Sequence, residues 1–315
     1  MKNVLFVNHK EQACGIKQWG KRAGESLSHS NKYNFVYRES DSQDEFRSIV
    51  QEVNPTSIIY NYWIGTMGWV NPDLLDEFRE RKQAVIIHEG GPQPWNEHSF
   101  DYYICINPEL DVSQEWKHKV FVIGRNLLKY DGEYRTNTVP NIGSFGFGFT
   151  NKRYEDIARA VNNEFDEAEI NLLIPFAKYG DEGGGLARQS VELCRREIKK
   201  PGIKLNVYHD FLPEQGVLEF LAGNDINAFL YSDMPGRGAS SATDYALSVK
   251  RPIIVTDTYM FKHITNHVEI PINIENSTIK QVISYGTKPL EKFYEMWSPE
   301  NFTKSFERIM DEIIK

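Results

Sequence analysis

The sequence predicts an α/β protein built from two doubly wound domains, and three observations carry that reading. Short β-branched runs such as Val4-Leu5-Phe6-Val7 and Pro252-Ile-Ile-Val255 are apolar throughout, as strands buried on both faces of a parallel sheet must be. These runs alternate with stretches of helical period along most of the chain. A polar, turn-rich stretch at 129–140 (KYDGEYRTNTVP) interrupts the alternation once, and the pattern restarts at Asn141. The expected division is 1–135 for the first domain and 141–290 for the second. A C-terminal helix at 298–315 is expected to return to the first domain.

In order, the first strand at 4–7 is followed by a loop at 8–15 and a helix at 16–27 with Trp19, Ala23 and Leu27 on one face. Strands are expected at 34–37, 57–60, 84–88, 101–106 and 119–123, with helices at 44–53 and 73–82. An aromatic loop, 61–69 (NYWIGTMGW), lies between the third strand and the next helix. In the second domain, a strand and a glycine-bearing loop are expected across 141–149, and strands at 169–176, 204–208, 226–231, 252–255 and 270–274. Helices are expected at 154–162, 187–199 and 214–222, and another opens near residue 240. The last helix has a strong start, Ser298-Pro299-Glu300, and places Phe302, Phe306, Ile309 and Ile313 on one stripe.

Bulk properties bound the function. The 315 residues are enough for two cores. A formal net charge of −8 argues against a broad nucleic-acid surface, so an anionic ligand needs a local basic site. Three scattered cysteines form neither a disulfide framework nor a zinc spacing, which makes a reducing cytoplasm the default expectation. Residues 1–7 are too short and too quickly polar for a signal peptide, and no run approaches a transmembrane length. No Asp-x-Asp pair and no His/Cys cluster suggests a metal.

The stretch with the most chemistry is 233–261 (DMPGRGASSATDYALSVKRPIIVTDTYMF). Gly236 and Gly238 flank Arg237, with Ser240 and Ser241 next, before a helix opens. Glycines permit close backbone approach, a helix start favours an anion, and hydroxyls and a guanidinium add donors. A diphosphate fits that combination; an ordinary serine-capped helix start fits the same residues. In the first half, His88 and Glu89 fall at the carboxyl end of a strand and are followed by Gly90-Gly91-Pro92, where open α/β sheets bind ligands. Gly15 opens a helix at the same edge. Glu89 is read as orienting an acceptor hydroxyl, as a base, or as a cap for a helix start. The aromatics of 61–69 and Trp95 offer faces to a sugar or lipid-linked acceptor, or to the core.

These segments resemble the GT-B fold glycosyltransferases, in particular the large retaining, family 4-like group that uses nucleotide sugars. The resemblance rests on CGIKQWG, IIYNYWIGTMGWV and VIIHEGG in the first half. In the second it rests on SFGFGFTNKRYEDI, YHDFLPEQGVLEFLAGNDINAFLY and MPGRGASSATDYALSVKRPIIVTD. It implies two Rossmann-like domains facing each other across a cleft, and transfer of a sugar from a UDP- or GDP-linked donor without a metal or cofactor. Gly15 then matches a glycine that closes over the donor, and His88 a histidine that contacts the transferred sugar. Lys152 matches a lysine that approaches the diphosphate, joined by Lys178. Phe211 and Leu212 lie where backbone groups hold the nucleobase. Gly238, Ala239, Ser240 and Ser241 match the donor loop.

Two departures stand out. The family's pair of glutamates falls here at Arg237 and Tyr245, and its arginine at Phe147. Arg237 is expected to supply the missing cation, and Asp244 to take a ribose hydroxyl. The acceptor, whether glycan, lipid-linked or small molecule, is not read from the sequence. A nucleotide-sugar-binding or scaffold protein of the same shape, and a nucleotide-sugar epimerase, are the competing readings.

Overall fold

The computed structural model describes residues 1–89, 100–234 and 236–315. The chain divides into two compact units. Unit 1 comprises Met1–Asn126, Gly236–Ala239 and Met296–Lys315; unit 2 comprises Leu127–Pro235 and Ser240–Glu295. Gly90, Gly91, Pro92 and Trp95, singled out from the sequence, lie outside the described residues.

Unit 1 runs β1 (Asn3–Asn8), α1 (Gly15–Leu27), β2 (Asn34–Glu39), α2 (Gln43–Val53), β3 (Ser57–Tyr60), α3 (Ile64–Met67), α4 (Pro72–Glu77), β4 (Lys82–Ile87), β5 (Tyr102–Cys105) and β6 (Val120–Val122). Its six strands are all parallel, in the order β2-β1-β3-β4-β5-β6. Alternate residues of a strand enter opposite cores. Leu5 and Val7 pack with Phe46, Ile49 and Leu74 on one face, and Val4 and Phe6 pack with Trp19, Ala23 and Leu27 on the other. The expected helix at 73–82 is shorter in the structure. It ends at Glu77, and Lys82 already pairs with Ser57 as the first residue of β4.

Unit 2 runs β7 (Asn141–Phe145), α5 (Tyr154–Glu164), β8 (Ala168–Leu173), α6 (Gly185–Glu197), β9 (Ile203–Tyr208), α7 (Glu214–Ala222), β10 (Ile226–Phe229), α8 (Ala242–Ser248), β11 (Ile253–Val255), α9 (Lys262–Thr265), α10 (Ile279–Tyr285) and α11 (Glu291–Met296, its last residue assigned to unit 1). Five parallel strands lie in the order β11-β10-β7-β8-β9. The strand expected at 270–274 is reduced to a single bridge, Val255 to Asn273. Pro271 lacks the N–H a ladder needs there.

The last helix, α12 (Pro299–Ile313), belongs to unit 1. Ser298 caps it by accepting from the Asn301 N–H at 3.3 Å. Its apolar stripe joins the α1 face of the first sheet: Phe302 meets Trp19 edge-on at 6.0 Å, and Phe306 meets Phe35 at 6.4 Å. Lys2 Nζ donates to the Ile314 carbonyl at 3.0 Å, so the two ends of the chain are tied together. Among the described residues, no helix is long and apolar enough to cross a membrane.

Candidate functional site

Each sheet has one place where the direction of strand addition reverses, and open α/β sheets gather ligands outside the carboxyl ends of their strands there. In unit 1 the reversal lies between β1 and β3. A row of polar side chains crosses it. His88, just past β4, donates from Nε2 to Asn61 Oδ1 at 2.6 Å. Asn61, just past β3, donates from Nδ2 to Asn8 Oδ1 and to the Ile16 carbonyl, both at 2.9 Å. Asn8 Nδ2 in turn donates to the Lys17 carbonyl at 3.0 Å and to the Tyr37 hydroxyl at 2.9 Å. Tyr37 donates to Glu39 at 2.8 Å, and Glu39 pairs with the Lys17 ammonium at 2.5 Å. Lys17 is only 1% exposed, so its charge depends on that carboxylate. Four strands and α1 thus contribute to one chain of hydrogen bonds.

Helix α1 lies against this row because it carries glycines where it crosses. A Cβ on Gly20 would sit 2.2 Å from Asn61 Nδ2 and 2.7 Å from Asn8 Nδ2, and one on Gly24 would sit 2.5 Å from the Tyr37 ring. The Trp19 ring stands edge-on to His88 at 5.0 Å. His9 follows directly. It is fully buried, its Nδ1 accepts from the Glu11 N–H at 3.2 Å, and its Nε2 has no partner. Burial, then the charge of Lys17, holds its pKa down at about 4. Burial, then Arg125 and His9, holds His88 at about 3. Both rings are neutral at pH 7.

Of the sequence candidates in this unit, His88 takes its place in the row. Gly15 is the first residue of α1, which has no side-chain cap and no acidic residue in its first turn. Nothing lies within 4 Å of where a Gly15 Cβ would be, so packing does not require glycine there. Glu89 and Arg237 are paired with each other, and both are well exposed. Glu89 thus engages a cation in this state rather than capping a described helix.

In unit 2 the reversal lies between β7 and β10. Gly146, with φ of 140°, leaves β7 there, and its carbonyl accepts from the Tyr154 hydroxyl at 2.7 Å. Lys152 brings its ammonium over the Tyr231 ring, 3.7 Å from the centroid. Tyr231 is buried, with the Ser240 side chain beside its hydroxyl. Phe147, where a cation was sought, is stacked with Phe211 at 6.4 Å and 20° between planes. Phe211 is 44% exposed, so this pair offers an aromatic face, and Leu212 follows it beside Gly216.

Asp244 is fully buried. The carboxylate that the structure brings to Tyr245 is that of Glu214, which accepts from its hydroxyl at 3.1 Å. Glu214 was not among the sequence candidates. It lies 31 positions from Tyr245, at the start of α7, so no local pattern points to it.

The 238–241 run needs correction at Ser240. Its N–H donates to the Met260 carbonyl at 3.0 Å, so this amide is bound inside unit 2 instead of being offered to an anion. The helix that follows, α8, is only seven residues long and wholly buried, and Ser241 makes no side-chain cap. Lys178 is exposed in the loop before α6, near the Tyr179 ring. In that loop Asp181 accepts from the N–H groups of Leu186 and Ala187, both at 2.9 Å, and so occupies the start of α6 with its own carboxylate. Asp181→Ala is expected to lower stability by about 1 kcal/mol, read as a shifted urea midpoint. Among the described residues, no group of three His, Cys, Asp or Glu side chains is arranged to hold a metal ion.

No protein-family model matches the chain, and no curated protein matches it in sequence. Solved structures match it end to end. A glycosyltransferase from Rickettsia africae aligns over 100% of this chain and 99% of its own, with a TM-score of 0.67 at 12% identity. HepE from Anabaena, solved with UDP and glucose, aligns over 99% and 100%, with a TM-score of 0.67 at 9% identity. Sucrose-phosphate synthase from Thermosynechococcus elongatus aligns over 100% and 95%, with a TM-score of 0.63 at 9% identity. The chain therefore has the α/β GT-B fold of two Rossmann-like, parallel-sheet domains.

Proposed function

We propose that this GT-B chain is a glycosyltransferase that moves a sugar from a nucleoside-diphosphate donor to a hydroxyl acceptor. One observation carries the proposal: on a fold shared over its whole length with a protein solved with UDP and glucose, each sheet gathers polar side chains at its own reversal point. The two gatherings differ in the way such a reaction requires. Unit 1 offers neutral imidazoles and amides, suited to hydroxyls. Unit 2 offers the Lys152 ammonium and the exposed Phe211 ring, suited to a phosphate and a base.

When the bond from the sugar to the diphosphate breaks, negative charge builds on the leaving group, and fixed cations and dipoles lower that barrier. Lys152, Arg237 and Lys178 are assigned that role, with the amides of Gly238, Ala239 and Ser241 and the uncapped start of α1 at Gly15. Phe211 and Leu212 hold the base. Glu214, in place of Asp244, takes the ribose. His88 contacts the transferred sugar, and Glu89, once Arg237 turns to phosphate, is free to orient the acceptor hydroxyl. No metal is assigned a role, and retention at the anomeric carbon is the expected outcome.

A panel of UDP- and GDP-sugars tests this. Thermal stabilisation by one of them, with slow release of free nucleotide, is expected. Stabilisation without release would instead favour a nucleotide-sugar-binding protein, and interconversion of donor sugars an epimerase. Arg237→Ala is expected to weaken nucleoside-diphosphate binding by about 1.5–3 kcal/mol, the worth of a charge-assisted contact. Equal calorimetric affinities for the two proteins would remove Arg237 from the site.

A further inference from the structure

We propose that the Asn61–Asn8 amide pair fixes His88 in its Nε2-protonated form, and that His88 Nδ1 and the Nε2–H of His9 together bind a hydroxyl of a neutral ligand. The first half follows from the hydrogen bonds alone. The His9 backbone N–H donates to Asn8 Oδ1 at 2.9 Å, which fixes the orientation of the Asn8 amide. Its Nδ2 then faces the Lys17 carbonyl, and its Oδ1 also accepts from Asn61. Asn61 is held the same way, because its Nδ2 faces the Ile16 carbonyl. Only Asn61 Oδ1 remains for His88 Nε2, 2.6 Å away, and a carbonyl oxygen can only accept. The proton is therefore on Nε2, and Nδ1 carries a lone pair.

His9 is set to the opposite polarity. Its Nδ1 accepts from the Glu11 N–H, so its proton is on Nε2, the buried atom that lacks a partner. An orphaned N–H at that depth costs free energy unless a ligand supplies an acceptor. One ring thus offers an acceptor and the other a donor, from the strand ends on either side of β3. A hydroxyl both donates and accepts, and it satisfies such a pair. An ionised carboxylate cannot, because it only accepts and would meet the His88 lone pair. Asn61 and Asn8 are positioning residues in this scheme. The hydroxyl ligand rests on the sugar-transfer reading above; the tautomer does not.

Nitrogen-15 spectra of the histidine rings in the full chain test both halves. The unliganded protein is expected to show His88 protonated at Nε2 with Nδ1 bare, and a spectrum with the proton on Nδ1 overturns the proposal without any variant. In Asn61→Ala a population of His88 with the proton on Nδ1 is expected to appear; if that variant does not fold, Asn61→Ser serves. A folded variant with the tautomer unchanged means the amides do not set it. Glucose at high concentration is then the neutral probe and acetate, fully ionised at pH 7, the anionic one. Glucose is expected to shift His88 Nδ1 and His9 Nε2, and acetate to leave both in place. A shift with acetate, or none with glucose, overturns the hydroxyl assignment. These spectra need neither nucleotide nor turnover, so absence of sugar transfer leaves the tautomer standing, and the reverse is equally readable.

Discussion

Gly20→Ala is expected to lower the stability of the chain by about 3 kcal/mol, although the same exchange in an ordinary helix interior stabilises by up to about 1 kcal/mol. The new methyl would lie 2.2 Å from Asn61 Nδ2, 2.7 Å from Asn8 Nδ2 and 2.9 Å from Asn61 Cγ. Both asparagines are 0% exposed, and each Nδ2 makes two hydrogen bonds. Their side chains are too short to swing clear, so either α1 moves off the sheet or buried amide groups lose their partners. Gly15→Ala is the matched control on the same helix. It has no neighbour within 4 Å, and its stability is expected to stay equal or rise. Urea midpoints of the two variants separate a general preference for glycine in α1 from the specific crossing at Gly20. If Gly20→Ala is as stable as the parent, the amide pair is not packed against α1 as described.

That crossing also shows what was legible in the sequence and what was not. The strands were readable because burial on both faces leaves a run such as Ile58–Ile59–Tyr60 with no charged or strongly polar position. The misses fell where a local pattern meets a backbone constraint. Helical period continued past Glu77, but pairing of Lys82 with β3 had already claimed the chain. Apolar residues at 270–274 looked like a strand, but Pro271 denied it a ladder.

At the site, His88 was readable because a polar residue directly after an apolar strand is conspicuous. Asn8, His9, Lys17, Tyr37, Glu39 and Asn61 were not, since each is unremarkable in its own segment and acquires meaning only when four strand ends are adjacent. The same holds for Glu214, which meets Tyr245 across 31 positions. His9 and Asn8 carried one usable signal: two polar residues in succession at the end of the strand that the topology places beside the reversal point.

Acidification from pH 7 to pH 5 is expected to cost the protein about 3–4 kcal/mol through two side chains alone, His9 and His88. Their pKa values in the fold are held at about 4 and about 3, whereas in the unfolded chain a histidine takes up its proton near its ordinary value of 6.5. Between those limits the unfolded state binds more protons than the native one. Stability is therefore full above pH 6.5 and falls as pH drops toward the folded values. At pH 5 the deficit is about 2 kcal/mol for the fully buried His9 and somewhat less for His88, which solvent partly reaches.

Carboxylates contribute in a different window. Glu45, Asp257 and Asp311 are held below their ordinary values, chiefly by hydrogen bonds from lysines, so their share is lost only as pH falls below the usual carboxylate range. Urea unfolding at pH 7 and pH 5 thus isolates the histidines. In His9→Gln the difference between the two pH values is expected to shrink by about 2 kcal/mol, because an amide does not titrate. An undiminished difference would mean that His9 already accepts a proton in the fold near pH 6. Its Nδ1 would then donate, not accept from Glu11, and the opposed polarity of the two rings would be lost.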